Sequence, residues 1–236
     1  MKTVLFDLDG TLLPMDQEVF LHHYMTGLAK KMMPLGYEPK SLIRNVWTGV
    51  AAMVKNDGAV NNAEAFWNCF ESLVGRNAQA DEPVFLEFYR NEFQKVREVC
   101  GFSPMAAEIV AWLKETGARV VLATNPLFPA IATDSRIRWA GMEPADFELV
   151  TTYENSRHCK PNPAYYRDVL VALGETAGNC IMVGNDVDED MLAAEKVGLQ
   201  VFLLTDCMIN KSNTDVTRFP RGGFPELLAF LKDNIG

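Results

Sequence analysis

The chain has 236 residues, 48% of them hydrophobic and 22% charged, a composition that fills a folded core and excludes disordered and collagen-like classes. Acidic residues outnumber basic ones by 31 to 22, for a formal charge of -9, which is the wrong sign for a surface that neutralises a nucleic acid backbone. No apolar run approaches the roughly 20 residues of a membrane helix, and the stretch before Asp7 is too short for a signal-peptide core. The expected setting is therefore cytoplasmic, without a membrane or a nucleic acid polymer as partner. Five cysteines, Cys69, Cys100, Cys159, Cys180 and Cys207, have no CxxC spacing and point to reduced, structural thiols.

The first apolar run, Thr3 to Leu8, reads as a buried strand, because continuous apolar character of this length suits a parallel sheet covered on both faces. The next strand-like run begins only at Arg119. About ninety residues from Pro14 to Ser103 instead carry helical windows at Gln17 to Met33, Ser41 to Lys55, Ala63 to Val74 and Glu82 to Val99, separated by Pro-, Asn- and Gly-containing breaks. So long a structureless loop would be improbable, and the expectation is an inserted helical domain. From Pro104 onward helices alternate with strands: helix Pro104 to Glu115, strand Arg119 to Asn125, strand Phe147 to Thr152, helix Asn162 to Leu173, strand Cys180 to Asn185, helix Asp190 to Val197, strand Gln200 to Thr205 and helix Pro225 to Lys232. The Asn-, Thr- and Gly-rich stretch from Asp206 to Phe224 reads as a loop. This rhythm predicts an α/β fold, a doubly wound, Rossmann-like parallel sheet, with residues 1–14 and 103–236 as the core and residues 15–102 as an all-helical cap.

Chemistry-bearing residues stand where the strands end. The first strand runs into Asp7-Leu8-Asp9-Gly10-Thr11, a carboxylate pair at the edge that open α/β sheets use for ligands. A calcium loop would need further acidic or amide ligands at alternating positions, and Thr11, Leu13 and Met15 do not supply them. The second strand ends in Thr124-Asn125. Lys160-Pro161 precedes a helix that opens with an Asn cap and Pro163, and whose dipole favours anions. The fourth strand leads into Gly184-Asn185-Asp186 and on to Asp190. If Asp7, Asp9, Asp186 and Asp190 converge, four negative charges face one lysine, and each close pair repels by about 4 kcal/mol at 4 Å with an effective dielectric of 20. A hard divalent cation such as Mg²⁺ relieves that repulsion.

In order, strand context and spacing, these four segments resemble the signature motifs of the haloacid dehalogenase superfamily, over Met1 to Pro14 and Ser103 to about Leu204. The helical insert falls where that family carries one type of cap. The resemblance implies a Mg²⁺-dependent phosphohydrolase acting on a small phosphorylated metabolite. It makes Asp7 the nucleophile that forms an aspartyl phosphate, Asp9 the acid and base, and Thr124, Asn125 and Lys160 the phosphate-binding groups. The metal would be held by the side chains of Asp7 and Asp186 and the backbone carbonyl of Asp9. Asn185 and Asp190 would stand behind these ligands, Asp190 positioning Lys160. Asp9 favours phosphoryl transfer over carbon–halogen displacement, which needs no carboxylate there. A phosphomutase passing the phosphoryl group to a sugar, and a non-catalytic phosphate- or metal-binding regulator, are the alternatives. Between Pro14 and Ser103 nine Lys and Arg face eleven Asp and Glu, so the insert is nearly neutral. Its candidate substrate contacts are Phe20, His23, Tyr24, Arg44, Trp47 and Lys55.

Overall fold

A computed structural model of the chain describes residues 2–235. Six strands form one parallel sheet: β1 (Thr3–Phe6), β2 (Arg119–Leu122), β3 (Leu149–Val150), β4 (Cys180–Gly184), β5 (Gln200–Leu204) and β6 (Arg221–Gly222), in the order β3-β2-β1-β4-β5-β6. From β1 the chain builds outward through β2 and β3, then returns to the other side of β1 for β4, β5 and β6. The order reverses between β1 and β4, and such a switch point opens a crevice at the carboxyl ends of the strands.

The sheet is covered on both faces, which explains the unbroken apolar runs. Val4 and Phe6 of β1 pack with Val110 and Leu113 of α5 (Pro104–Glu115) and Leu227 and Leu231 of α9 (Phe224–Ile235). Leu5, Val121 and Met182 face the other way, onto Tyr165, Tyr166 and Val169 of α7 (Pro163–Leu173). Strand register then sets the site. Phe6 lies beside Leu122 on one side and Val183 on the other, so Asp7, Thr124 and Asn185 leave the sheet at one edge.

The insert holds α1 (Gln17–Met32), α2 (Pro39–Val54), α3 (Asn62–Val74) and α4 (Glu82–Arg90). Local signals account for their limits: Asp16 caps α1, Glu38 caps α2 with Pro39 in its first turn, and Asn61 with Glu64 forms a capping box on α3. Phe20, Tyr24, Phe88, Tyr89 and Phe93 form its aromatic core, with the Tyr24 and Tyr89 hydroxyls 2.8 Å apart.

Several expected elements are corrected. The first strand stops at Phe6 instead of Leu8, because the Leu8 carbonyl accepts the amides of Thr11 and Leu13 and the chain turns. The window Glu82 to Val99 is two elements: α4 ends at Arg90, and Glu92–Val99 is a 3₁₀ helix beyond Asn91. The helix expected at Asp190 to Val197 starts earlier, as a π-helical segment Val187–Leu192 followed by the single turn α8 (Ala193–Glu195). The loop from Asp206 to Phe224 contains a 3₁₀ turn, Val216–Arg218, and the edge strand β6. Helix α6 (Ala130–Trp139), unassigned from the sequence, connects β2 toward β3. It buries Thr133, Ser135 and Arg136 and so has no continuous apolar stripe to betray it. No helix among the described residues is long and apolar enough to cross a membrane, and each of the five cysteines is a free thiol.

Candidate active site

Asp7 follows directly from β1, its amide bonded to the Val183 carbonyl at 2.9 Å, and the residue is 8% exposed. Lys160, 1% exposed, donates from Nζ to Asp7 Oδ1 at 2.9 Å and to Asp190 Oδ1 at 2.6 Å. Burial works against the Lys160 charge, but Asp190 and Asp7 outweigh it and hold the ammonium well above its ordinary range. The second Asp190 oxygen accepts the backbone amides of Asn185 and Asp186 at 3.1 and 3.0 Å. Asp190 is thereby a fully bonded strut between β4 and Lys160. Burial nevertheless raises its pKa to about 8, against the pull of Lys160.

Two glycines permit this packing. Gly10 has φ +85°, and a Cβ there would collide with the Asn185 side chain. A Cβ on Gly184 would overlap the Asp190 carboxylate. Asn185 donates to the Cys207 carbonyl at 2.7 Å and accepts the Thr11 hydroxyl at 3.0 Å. Asp186 caps the π-helical segment, Oδ1 taking the amides of Asp188 and Glu189 at 2.9 Å. π-helical turns recur at functional sites.

Asp7, Asp9, Thr124, Asn125, Asn185, Asp186 and Asp190 all border one cavity of about 160 Å³. Lys160 stands beneath its floor, reaching it through Asp7. Asn125 lies at the cavity, but its amide nitrogen is already committed to Glu189 at 2.9 Å, and its Oδ1 is buried without a partner.

Asp9 brings in a residue that sequence reasoning missed. Its Oδ2 is ion-paired with Arg136 Nη1. Arg136, 1% exposed on α6, is held by the Ala132 carbonyl, the Thr133 hydroxyl and the Phe128 ring, whose centroid lies 4.2 Å from the guanidinium carbon. Burial raises Asp9 to about 6, with Arg136 opposing and Asp7 reinforcing the shift. Its other oxygen, Oδ1, is buried and unpartnered. The only sequence signal for Arg136 was a basic residue in a stretch with no assigned role.

Among the described residues no three His, Cys, Asp or Glu side chains form a metal ligand group, so a cation would have to rely partly on backbone or substrate oxygens. The donor set suits a hard cation in that form. Asp7 Oδ2 has only the Thr11 hydroxyl at 3.4 Å, while the Asp186 cap uses Oδ1 alone. Burial raises the pKa values of Asp186 and Glu189, with Lys211 opposing the shift at Asp186 and Lys160 at Glu189.

Of the candidates in the insert, Phe20 and Trp47 line the cavity, whereas His23, Arg44 and Lys55 do not. Tyr24 belongs to the aromatic core. Met15, Gln17, Leu21, Leu127, Phe128, Glu189 and Lys211 complete the wall. Lys211 arrives from the loop after β5, where Ile209 bridges to Asp186.

A sequence model of the haloacid dehalogenase-like hydrolases matches residues 1–198. The chain is 24% identical over 201 residues to pyrophosphatase PpaX of Bacillus velezensis, covering 83% of this chain and 79% of the relative. It is 23% identical over 203 residues to phosphoglycolate phosphatase of Caulobacter vibrioides, covering 86% and 78%. The fold is similar to that of a HAD phosphatase from Thermococcus onnurineus, with a TM-score of 0.61, 20% identity and 98% of each chain covered.

Proposed function

The chain belongs to the haloacid dehalogenase-like hydrolases, and from that premise we propose that it is a Mg²⁺-dependent phosphohydrolase that cleaves a small phosphorylated metabolite through an aspartyl phosphate on Asp7. Residues 15–102 serve in this reading as a cap over a catalytic core of 1–14 and 103–236. The observation that carries it is the contact of Asp7 with the buried Lys160–Asp190 pair at the switch point, with Asp9 two residues on in the same cavity.

Asp7, whose Oδ2 meets only the Thr11 hydroxyl at 3.4 Å, is the nucleophile that attacks phosphorus in this reading. The bond from phosphorus to the leaving oxygen breaks as the bond to the Asp7 oxygen forms, and Asp9 gives its proton to the departing alcohol. Water then attacks the aspartyl phosphate, Asp9 takes up its proton, phosphate leaves and Asp7 is regenerated. An Asp9 carboxyl held at about 6 can both carry and release a proton near neutrality. Thr124, at the cavity wall, is the donor to the phosphoryl oxygens where transition-state charge accumulates, and Lys160 supplies positive charge from beneath, through Asp7. Arg136 is a positioning residue that orients Asp9. The side chains of Asp7 and Asp186, with the Asp9 carbonyl, would hold Mg²⁺, which when bound neutralises phosphate and carboxylate charge.

The test is phosphate release from a panel of monoesters, with Mg²⁺ or with chelator, for the parent and Asp7→Asn. Metal-dependent release lost in the variant is expected. An Asp7→Asn protein as active as its parent would overturn the mechanism.

A further inference from the structure

We propose that the cavity selects phosphate monoesters whose leaving group is small, uncharged and largely apolar, and rejects those whose leaving group carries a second anion. This deepens the phosphatase reading above and rests on it.

Met15, Phe20, Leu21, Trp47, Leu127 and Phe128 line the cavity together with the carboxylates. From helices α1 and α2 of the insert, only Gln17 adds a polar side chain. The sole Lys or Arg among the described lining residues is Lys211, and it comes from the core loop whose Ile209 is bridged to Asp186, on the side assigned to the metal. The remaining titratable side chains at the wall are acids: Asp7, Asp9, Asp186, Glu189 and Asp190. A carboxylate or second phosphate on the leaving group would lose water and meet no fixed cation from the insert. An unpaired ion in such a place is strongly disfavoured, and sites that recognise anions offer Arg or Lys donors.

An apolar group meets the opposite situation. Trp47 is 43% exposed although most of its neighbours along the wall are covered, so a bound group can take its ring out of water. Size points the same way. A cavity of about 160 Å³ is close to the roughly 150 Å³ space that accepts benzene, and it must also receive the phosphoryl group. With the phosphoryl group in place, leaving groups beyond a short chain would exceed that space.

Isobutyl phosphate and phosphoglycolate are a matched pair, since an isopropyl group and a carboxylate on the same methylene have nearly the same shape. We compare kcat/KM for these two, for pyrophosphate and for phosphocholine, using the full chain with Mg²⁺. Isobutyl phosphate is expected to exceed each of the others by at least about tenfold, the scale of one mismatched group in a pocket. Leu21→Lys places a cation in the wall and should move the isobutyl-to-glycolate ratio toward phosphoglycolate by about tenfold or more. Trp47→Arg repeats that test at a half-exposed position where folding is not at stake. Turnover that favours phosphoglycolate, pyrophosphate or phosphocholine overturns the inference while leaving the phosphatase reading intact, as does an unchanged ratio in both folded variants. No release from any ester overturns both.

Discussion

Replacing Arg136 by Met removes a buried cation whose partner stays behind, and the structure sets the size of the effect. Breaking a buried ion pair can cost 3–5 kcal/mol when the surviving charge has no escape. Asp9 has one, because burial already holds it at about 6. Without the guanidinium, burial and Asp7 raise it further, and at pH 7 it takes up a proton. The added electrostatic cost is then about 1.4 kcal/mol for each pH unit between 6 and the working pH. Loss of the Phe128 stack and of the bonds to Ala132 and Thr133 adds about 1 kcal/mol, for a total of about 2–3 kcal/mol at pH 7. The sign follows from linkage. A carboxyl whose folded pKa is raised loses stability as pH climbs from its unfolded value through the folded one. Below pH 6 Asp9 is protonated in parent and variant alike, so the difference shrinks to about 1 kcal/mol at pH 5. Above pH 6 the parent keeps its ion pair, while the variant goes on losing stability until its higher pKa is passed. Urea unfolding in chelator from pH 5 to 8 reads this directly. In an Asp9→Asn background the pH dependence of the Arg136→Met penalty should vanish. A penalty that is constant with pH in the parent background would refute the assignment of Arg136 as the partner that keeps Asp9 charged.

Gly10→Ala forces a left-handed backbone onto a residue with a Cβ and pushes Asn185 off the Cys207 carbonyl and the Thr11 hydroxyl; a loss of about 2–4 kcal/mol in urea unfolding should accompany a fall in turnover. Mg²⁺ at a hundredfold excess over its Kd should stabilise the parent by about 2.7 kcal/mol, and Asp186→Asn should abolish that gain in thermal unfolding while its oxygen still caps Asp188 and Glu189. Arg119 bonds Glu148 at 2.6 and 2.7 Å and Glu175 at 2.7 Å and so lowers both carboxyl pKa values. Groups lowered by folding stabilise above their ordinary carboxylate range, and that stability is lost as pH falls through the folded values. Arg119→Met should therefore cost about 1–2 kcal/mol at pH 7, a cost that shrinks as pH falls through the folded values of the two carboxyls, as followed by urea unfolding in acid.

The candidate site was legible because local chemistry announces it. Short Val-, Ile- and Leu-rich runs covered on both faces can only be buried strands, and in a parallel sheet their ends meet at one side, so Asp7, Thr124 and Asp186 could be placed together from order alone. Pro-, Asn- and Gly-containing breaks bounded α1 to α3, and the caps that the structure shows there, Asp16 and the Asn61–Glu64 box, act within three residues of where they stand. The break at Asn91 gave no such sign, since neither Gly nor Pro occurs there and the chain merely tightens from α to 3₁₀. Lys211 lies in a polar loop and reaches the cavity only because Ile209 bridges to Asp186.

Helix α6 was illegible for a reason that bears on the site itself. An amphipathic stripe forms when one face of a helix is buried among apolar groups, but α6 buries polar side chains that find polar partners on either side. Toward the site, Arg136 pairs with Asp9, 127 residues away in sequence. Toward the insert, Ser135 accepts the Gln94 amide at 2.9 Å, and the Trp139 indole donates to the same Gln94 at 3.2 Å while its ring lies 5.0 Å from that of Phe93. The polar residues that erase the stripe are thus the ones that tie the Glu92–Val99 segment of the insert and the Asp9 carboxylate to a single rigid element. A sequence pattern built on burial alone reads such a helix as surface, because each buried polar group is paid for by a partner that only the folded chain supplies.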